Sequence, residues 1–166
     1  LTEPPRLLIG AVENPFAPPR DFRPMRLGTK IDAGAEFIQT QICFNLDAMR
    51  IFMARCGELG LLDDVWVLAG VFIPSSARGT RYLRDQVPGV DVPDAVIDRM
   101  ESAPPERQKE EGIAIALDVV EAVRQIPGVS GIHLMTINHE EAIPRVVEAA
   151  GLLPRPARTG TFSGNP

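Results

Sequence analysis

Residues Lys30–Asn45, with the sequence KIDAGAEFIQTQICFN, decide the fold of this 166-residue chain. The stretch begins as the end of an amphipathic helix, and three small residues, Ala33-Gly34-Ala35, follow as a turn. A glycine at this point lets the helix stop in the left-handed conformation and lets the chain enter a strand with little delay. The apolar run after the turn predicts a buried strand that ends at Thr40-Gln41. The stretch therefore predicts a helix followed directly by a strand with an amide near its end.

The rest of the chain continues this alternation of helix and strand. Four apolar runs lack strict polar alternation, which is typical of strands buried on both faces in a parallel sheet. Helical patterns separate and follow these runs. The predicted strands are Arg6–Glu13, Glu36–Phe44, Val65–Ile73 and Gly131–Ile137. The predicted helices are Asp21–Asp32 with Asp21 as its N-cap, Leu46–Leu59, a helix from Ser75 or Ser76 to Asp85, Pro93–Glu101, Pro105–Ile126 and Glu140–Ala150.

Alternating strands and helices predict an α/β fold in which right-handed crossovers join the strands of a parallel sheet. Four βα units are half of a (β/α)8 TIM barrel, and a half-barrel on its own leaves two strand edges unpaired. We therefore expect residues 1–153 to form half of a TIM barrel, completed either by four units before Leu1 or by a second copy. A compact doubly wound sheet is the structural alternative. Residues 154–166, rich in Pro, Gly, Thr and Ser, are predicted to be a flexible C-terminal tail.

The composition argues against several classes of protein. A net charge of −5 and an isoelectric point near 5.1 disfavour binding to nucleic acid, which needs a basic face. No apolar run approaches the roughly 20 residues that span a membrane, and no secretory signal precedes the fold. A cytoplasmic location is therefore the default expectation. The two cysteines, Cys43 and Cys56, are predicted to be buried reduced thiols, and no metal site is predicted.

Polar side chains are of most interest where the strands end, because function gathers at that end of a βα barrel. The amide of Gln41 both donates and accepts hydrogen bonds, which suits a ring with alternating donors and acceptors, such as a pterin. A second tract, GIHLMTINH at Gly131–His139, repeats the pattern with Thr136 and Asn138. His133 lies between apolar residues in this tract, and we expect it to be a core histidine.

Together the DAGA…TQ and H..T.N tracts resemble the methylenetetrahydrofolate reductase family, over roughly Leu7 to Leu153. The resemblance implies the second half of the family's catalytic barrel, with the N-terminal half-barrel of the same protein as its partner; homo-oligomers are compatible with it. The implied activity is reduction of 5,10-methylene- to 5-methyltetrahydrofolate with NAD(P)H, in one-carbon and methionine metabolism, with FAD as the family's cofactor. The alternative is a non-catalytic barrel module that binds a pterin, a folate or a partner protein and serves a methyltransferase.

The same resemblance assigns roles to individual residues. Gln41, Thr136 and Asn138 match positions that contact the folate substrate, and Gln41 is the firmest match. The segment Tyr82-Leu83 occupies the region where the family places an aromatic residue against the substrate. Lys30 matches a lysine near the flavin phosphates, and Asn14 at the end of the first strand is assigned to the cofactor side. The catalytic residues are not identified, because the family's general acid belongs to the other half of the barrel; Glu13 is the local candidate.

The chain departs from the family pattern mainly on the flavin side. Arg23, Arg26 and Thr29 stand where the family commonly has an acidic residue, an asparagine and an arginine. His139 replaces an arginine after the last strand, and Gly79 replaces a glutamine. Three outcomes are open: a reductase that holds flavin differently, a reductase that takes hydride directly from a nicotinamide, or a member that has lost reduction and still binds a pterin.

Overall fold

The computed structural model describes residues 7–154, and within them every predicted helix and strand is present to within a few residues at each end. Arg6, predicted to begin the first strand, and residues 155–166 of the predicted tail lie outside the described part. The strands are β1 (Gly10–Glu13), β2 (Phe37–Ile42), β3 (Trp66–Ile73) and β4 (Val129–Thr136). The helices are α1 (Arg23–Asp32), α2 (Leu46–Glu58), α3 (Ala77–Gln86), α4 (Asp94–Ser102), α5 (Gln108–Arg124) and α6 (Ala142–Ala149), with 3-10 turns at Arg20–Phe22 and Pro105–Arg107.

The four strands are parallel and pair in the order β1-β2-β3-β4, without any reversal. Right-handed crossovers between strands that advance in one direction place every connecting helix on the same face of the sheet. A doubly wound sheet instead reverses its strand order at a switch point and has helices on both faces. The structure therefore has the arrangement of a partial TIM barrel, and the doubly wound alternative is wrong.

The two faces of the sheet differ in composition, because side chains alternate along each strand. The helix-facing row is mostly apolar, and its members in the middle of the sheet, Ile38 in β2 and Val67, Ala69 and Val71 in β3, are fully buried. The opposite face corresponds to the inside of a barrel, and the described helices do not cover it. By strand register this inner row carries Val12, Phe37, Gln39, Trp66, Leu68, Gly70, Phe72, Gly131, His133 and Met135. The alternating burial of β2 and the lining of a cavity place Gln41 on the same face.

The turn from α1 into β2 forms as the sequence predicts. Gly34 has a φ of +96°, and the N–H of Ala35 donates to the carbonyl of Lys30, which closes the helix end. The start of α1 differs from the prediction, because Asp21 lies in the preceding 3-10 turn and does not cap the helix. Pro24 lies in the first turn of α1. A backbone N–H at this position has no acceptor within the helix, so the proline costs the helix no hydrogen bond.

Gly112 in α5 gives a test of how closely this helix packs on the loop after β3. A Cβ at Gly112 would lie 1.8 Å from the carbonyl oxygen of Pro74, so backbone would have to move. We expect Gly112→Ala to lower the free energy of unfolding by about 3 kcal/mol, as overpacking does at a rigid contact, measured by urea denaturation. Gly57→Ala is the control, since its Cβ would meet Leu62 at an ordinary 3.7 Å. Equal stability of the two variants would contradict the packing.

Candidate functional site

A cavity of about 380 Å³ opens beside the carboxyl ends of β1 and β2 and on the inner face of the sheet. Its volume lies in the range of small-molecule sites. Two kinds of polar group line it: amide and imidazole side chains from the inner row, and charged side chains from β1 and α1. The lining residues are Val12, Glu13, Asn14, Arg23, Arg26, Lys30, Gln39, Thr40, Gln41, His133 and Met135.

The inner-row wall of the cavity holds Gln39 and Gln41 of β2 and His133 of β4. All three are partly exposed. The Oε1 atom of Gln41 accepts a hydrogen bond of 2.9 Å from the N–H of Ile42, which leaves its NH₂ group for a ligand. Gln39 and His133 make no side-chain hydrogen bond within residues 7–154, so their donors and acceptors face the cavity unpaired. His133 is thus a cavity residue, and the expectation of a core histidine is wrong.

A register shift between β2 and β3 shapes this wall. It falls between Gln39 and Ile42, and the Thr40 hydroxyl accepts a 2.9 Å hydrogen bond there from the N–H of Gly70. A Cβ at Gly70 would lie only 2.7 Å from the Thr40 carbonyl oxygen, so glycine is required for this close approach. Gly70 is the register partner of His133. Gly70 therefore lets the backbones of β2 and β3 approach closely at the level of His133 and Gln41.

Glu13 is the centre of a buried ion cluster at the end of β1. Its side chain is 1% exposed, and its carboxylate accepts hydrogen bonds from the Nζ of Lys30 and the N–H of Asn14. An Nη1 atom of Arg23 lies 3.8 Å from the same carboxylate. Lys30 also donates to the carbonyl of Val12 at 2.6 Å. We name Glu13, Lys30 and Arg23 the Glu13 cluster.

The side chains of Arg23 and Asn14 hold the loop between β1 and α1 by bonding to its backbone and to that of Gly89. Arg23 donates from Nε to the carbonyl of Ala17 at 2.8 Å and from Nη2 to that of Pro18 at 2.9 Å. Asn14 donates from Nδ2 to the carbonyl of Gly89 and accepts from the N–H of Phe16, both at 3.0 Å. These bonds fix the loop, and Lys30, Arg23 and Asn14 are all engaged inside the protein.

The family model for methylenetetrahydrofolate reductase matches residues 18–151, which is most of the chain. The chain belongs to the methylenetetrahydrofolate reductase family. It is 29% identical over 137 residues to 5,10-methylenetetrahydrofolate reductase of Pectobacterium carotovorum, covering 81% of this chain and 44% of that protein. It is 27% identical over 132 residues to methylenetetrahydrofolate reductase 1 of Schizosaccharomyces pombe, covering 76% of this chain and 21% of that protein. The chain thus spans less than half the length of these relatives.

The fold has a solved counterpart in an uncharacterized protein from Clostridium thermocellum that binds two copies of 5-methyl-5,6,7,8-tetrahydrofolic acid. The TM-score is 0.59 at 15% sequence identity, and the match covers 87% of this chain and 52% of that chain. At this identity the likeness concerns the fold alone. Its coverage agrees with a chain that forms part of a larger barrel.

The other residues that the reductase-family resemblance assigns to the folate lie outside the cavity. The hydroxyl of Thr136 donates to the carbonyl of Ile73 at 3.1 Å, across the β3–β4 pair. Asn138 is exposed in the loop after β4 with a φ of +54°, at the same end of the sheet as Gln41. On α3, Tyr82 is exposed and Leu83 is buried in the core. Contact of these four residues with a folate stays a prediction.

Three further features of this reductase-family chain concern its cysteines, metal binding and membrane crossing. Cys43 and Cys56 are buried free thiols, as predicted, and burial raises their pKa to about 11 and about 12, with the charge of Glu13 adding to the rise at Cys56. Within residues 7–154 no group of three or more His, Cys, Asp or Glu side chains could hold a metal ion. None of the described helices combines the length and the apolar character that crossing a membrane requires.

Proposed function

We propose that this chain is the folate-binding half of a TIM barrel that reduces 5,10-methylenetetrahydrofolate to 5-methyltetrahydrofolate with NAD(P)H. The observation that carries the proposal is the position of Gln41, on the wall of a cavity at the carboxyl ends of the strands, in a chain of the methylenetetrahydrofolate reductase family. The likeness in fold to a protein that binds 5-methyltetrahydrofolic acid supports the same class of ligand. In this proposal the other half-barrel pairs along the open edges of β1 and β4.

Each residue of the wall has a distinct task in this reaction. The free NH₂ group of Gln41 donates to an acceptor on the pterin ring and fixes the ring's orientation. His133, which is on β4 and pairs with Gly70 of β3, contacts the ring from the other side of β3. The partly buried wall excludes water from one face of the ring and so favours transfer of hydride over side reactions. The bridging carbon becomes a methyl group when it gains a hydride from the nicotinamide donor and its bond to one of the two folate nitrogens breaks. That nitrogen keeps the electron pair of the broken bond and gains a proton.

A non-catalytic folate-binding module is the second candidate. It is favoured by one observation: Lys30 and Asn14, which the resemblance assigns to the flavin, are bonded inside the protein. Such a module would bind a folate at the same wall and would oxidise no nicotinamide.

The two candidates are distinguished by assaying the complete protein that contains this chain. Binding of 5-methyltetrahydrofolate is followed by isothermal titration calorimetry, and oxidation of NADH and NADPH is followed at 340 nm with and without 5,10-methylenetetrahydrofolate. The reductase predicts folate binding together with folate-dependent oxidation of one donor. Folate binding without oxidation would support the module, and the absence of folate binding would reject both.

A further inference from the structure

We propose that Arg26, rather than Lys30, binds the diphosphate of the dinucleotide that takes part in the reaction. This role rests on the reductase function proposed above for its class of ligand, and it adds the residue that recognises the ligand. FAD, NADH and NADPH all contain the same diphosphate, so the role holds for a flavin and for a nicotinamide alike. Two observations support it: the cavity lining has a surplus of positive charge, and the guanidinium of Arg26 has no partner within residues 7–154.

The lining of the cavity is positively charged, although the whole chain has a net charge of −5. Three cationic side chains, those of Arg23, Arg26 and Lys30, line the cavity together with one carboxylate, that of Glu13. The lining therefore has a surplus of two positive charges when histidine is counted as neutral. A cleft lined by charge of one sign concentrates ligands of the opposite sign. The cavity therefore favours a ligand that carries negative charge.

Two of the three cations, Lys30 and Arg23, do not fit a phosphate because they are engaged inside the protein. Lys30 pairs with the carboxylate of Glu13, whose side chain is 1% exposed, and it also donates to the carbonyl of Val12 at 2.6 Å. Moving Lys30 to a ligand would leave the buried carboxylate without a cation in hydrogen-bond contact. Arg23 is 12% exposed and donates to two carbonyls of the β1–α1 loop. These cations contribute to the positive potential of the corner and leave the ligand contact to Arg26.

Arg26 is the side chain of this corner that fits a phosphate. It is exposed, it lines the cavity, and it makes no hydrogen bond or ion pair within residues 7–154. Arg26 precedes Lys30 by four residues, so the two side chains lie on one face of α1. A guanidinium presents its N–H groups as a rigid fork that matches two phosphate oxygens. Binding of a phosphate to Arg26 therefore breaks no polar contact among the described residues.

A diphosphate fits this corner better than the carboxylates of a folate. The two negative charges of a diphosphate lie on adjacent groups, and they match the surplus of two positive charges in the lining. The carboxylates of a folate lie at the end of the molecule opposite its pterin. Gln41, which is proposed to bind the pterin, lines the same cavity as Arg26. The group at Arg26 therefore belongs to the second ligand of the reaction, which is the dinucleotide.

The first test uses ADP-ribose, which contains the diphosphate of the dinucleotides but neither a flavin nor a nicotinamide ring. Calorimetric titration of the complete protein is expected to show binding that weakens as salt is added. Arg26→Gln is expected to raise the Kd for ADP-ribose about tenfold, because charge-assisted hydrogen bonds are lost. Arg26→Lys keeps the charge and is expected to raise the Kd less. Arg107→Gln is the matched control, since Arg107 is also exposed and does not line the cavity.

A second set of titrations identifies which dinucleotide carries the diphosphate. Binding of FAD is followed by the fluorescence of its flavin, and binding of NADH and NADPH by the fluorescence of the dihydronicotinamide. The dinucleotide whose Kd rises in Arg26→Gln and not in Arg107→Gln is the ligand of Arg26. The Kd for 5-methyltetrahydrofolate is expected to be the same in Arg26→Gln and in the parent protein.

Three results would overturn the role of Arg26: no binding of ADP-ribose to the parent protein, an equal Kd for ADP-ribose in Arg26→Gln and the parent, or a loss of affinity for the folate alone. The last result would place the folate carboxylates at Arg26. None of these results decides the reductase function, which is tested by folate-dependent oxidation of NADH and NADPH. A protein that binds ADP-ribose through Arg26 and reduces no 5,10-methylenetetrahydrofolate would reject the reductase function and keep the diphosphate site.

Discussion

Replacing Lys30 with methionine is expected to lower the free energy of unfolding by about 3 kcal/mol, the lower end of the range for breaking a buried ion pair. The carboxylate of Glu13 would stay in a site where it is 1% exposed. Its remaining partners would be the N–H of Asn14 and an Arg23 nitrogen 3.8 Å away. Methionine keeps much of the length of lysine, so the lost stability comes from the missing charge more than from a change in packing. Urea denaturation of the complete protein measures it.

A double variant shows whether the loss comes from the unpaired carboxylate. Adding Glu13→Gln to Lys30→Met removes the buried charge and is expected to recover most of the lost stability. If both proteins unfold at the same urea concentration as the parent, Glu13 and Lys30 do not interact, and the Glu13 cluster has no part in holding the β1–α1 corner.

Replacing Gln41 with alanine is expected to weaken folate binding by about 1–3 kcal/mol, because a polar group of the bound pterin loses its partner. The substitution also removes the acceptor for the N–H of Ile42. Calorimetric titration of the complete protein with 5-methyltetrahydrofolate measures the change in affinity.

Two control measurements are needed to interpret the change in folate affinity. Gln125→Ala removes an exposed amide elsewhere and should leave the affinity unchanged. An unfolding curve of Gln41→Ala that matches the parent shows that the strand end is intact. An unchanged folate titration with Gln41→Ala would mean that Gln41 only orders the end of β2.

The order of helices and strands could be predicted from the sequence because each strand is a short apolar run, bounded by turn residues or by a helical pattern. Gly34 is the best example, since its left-handed conformation was required by the short distance between α1 and β2. The start of α1 could not be placed, because Asp21 and the following residues fit the first turn of an α-helix and a 3-10 turn equally well. Propensity alone does not separate these two structures at a helix end.

Less of the candidate site than of the fold could be predicted from the sequence. Gln41 was found because a polar amide ends an apolar strand. The side of the sheet that His133 faces depends on its register against Gly70, which no local pattern reveals. The pairing of Glu13 with Lys30 joins residues 17 positions apart, and the tertiary fold alone brings them together. Gln39 shares the face of Gln41 by strand alternation, and that signal was present in the sequence.

The Glu13 cluster also limits the mutational routes open to this protein. Changing Glu13 first would remove the carboxylate that neutralises Lys30 and Arg23. Changing Lys30 first would leave that carboxylate buried without its closest cation. Each single step is expected to pass through a less stable protein, and the paired change is expected to recover most of the stability. Such sign-dependent coupling between neighbours is epistasis. Drift at this corner is therefore expected to replace both residues together or neither, and redesign should vary them as a pair.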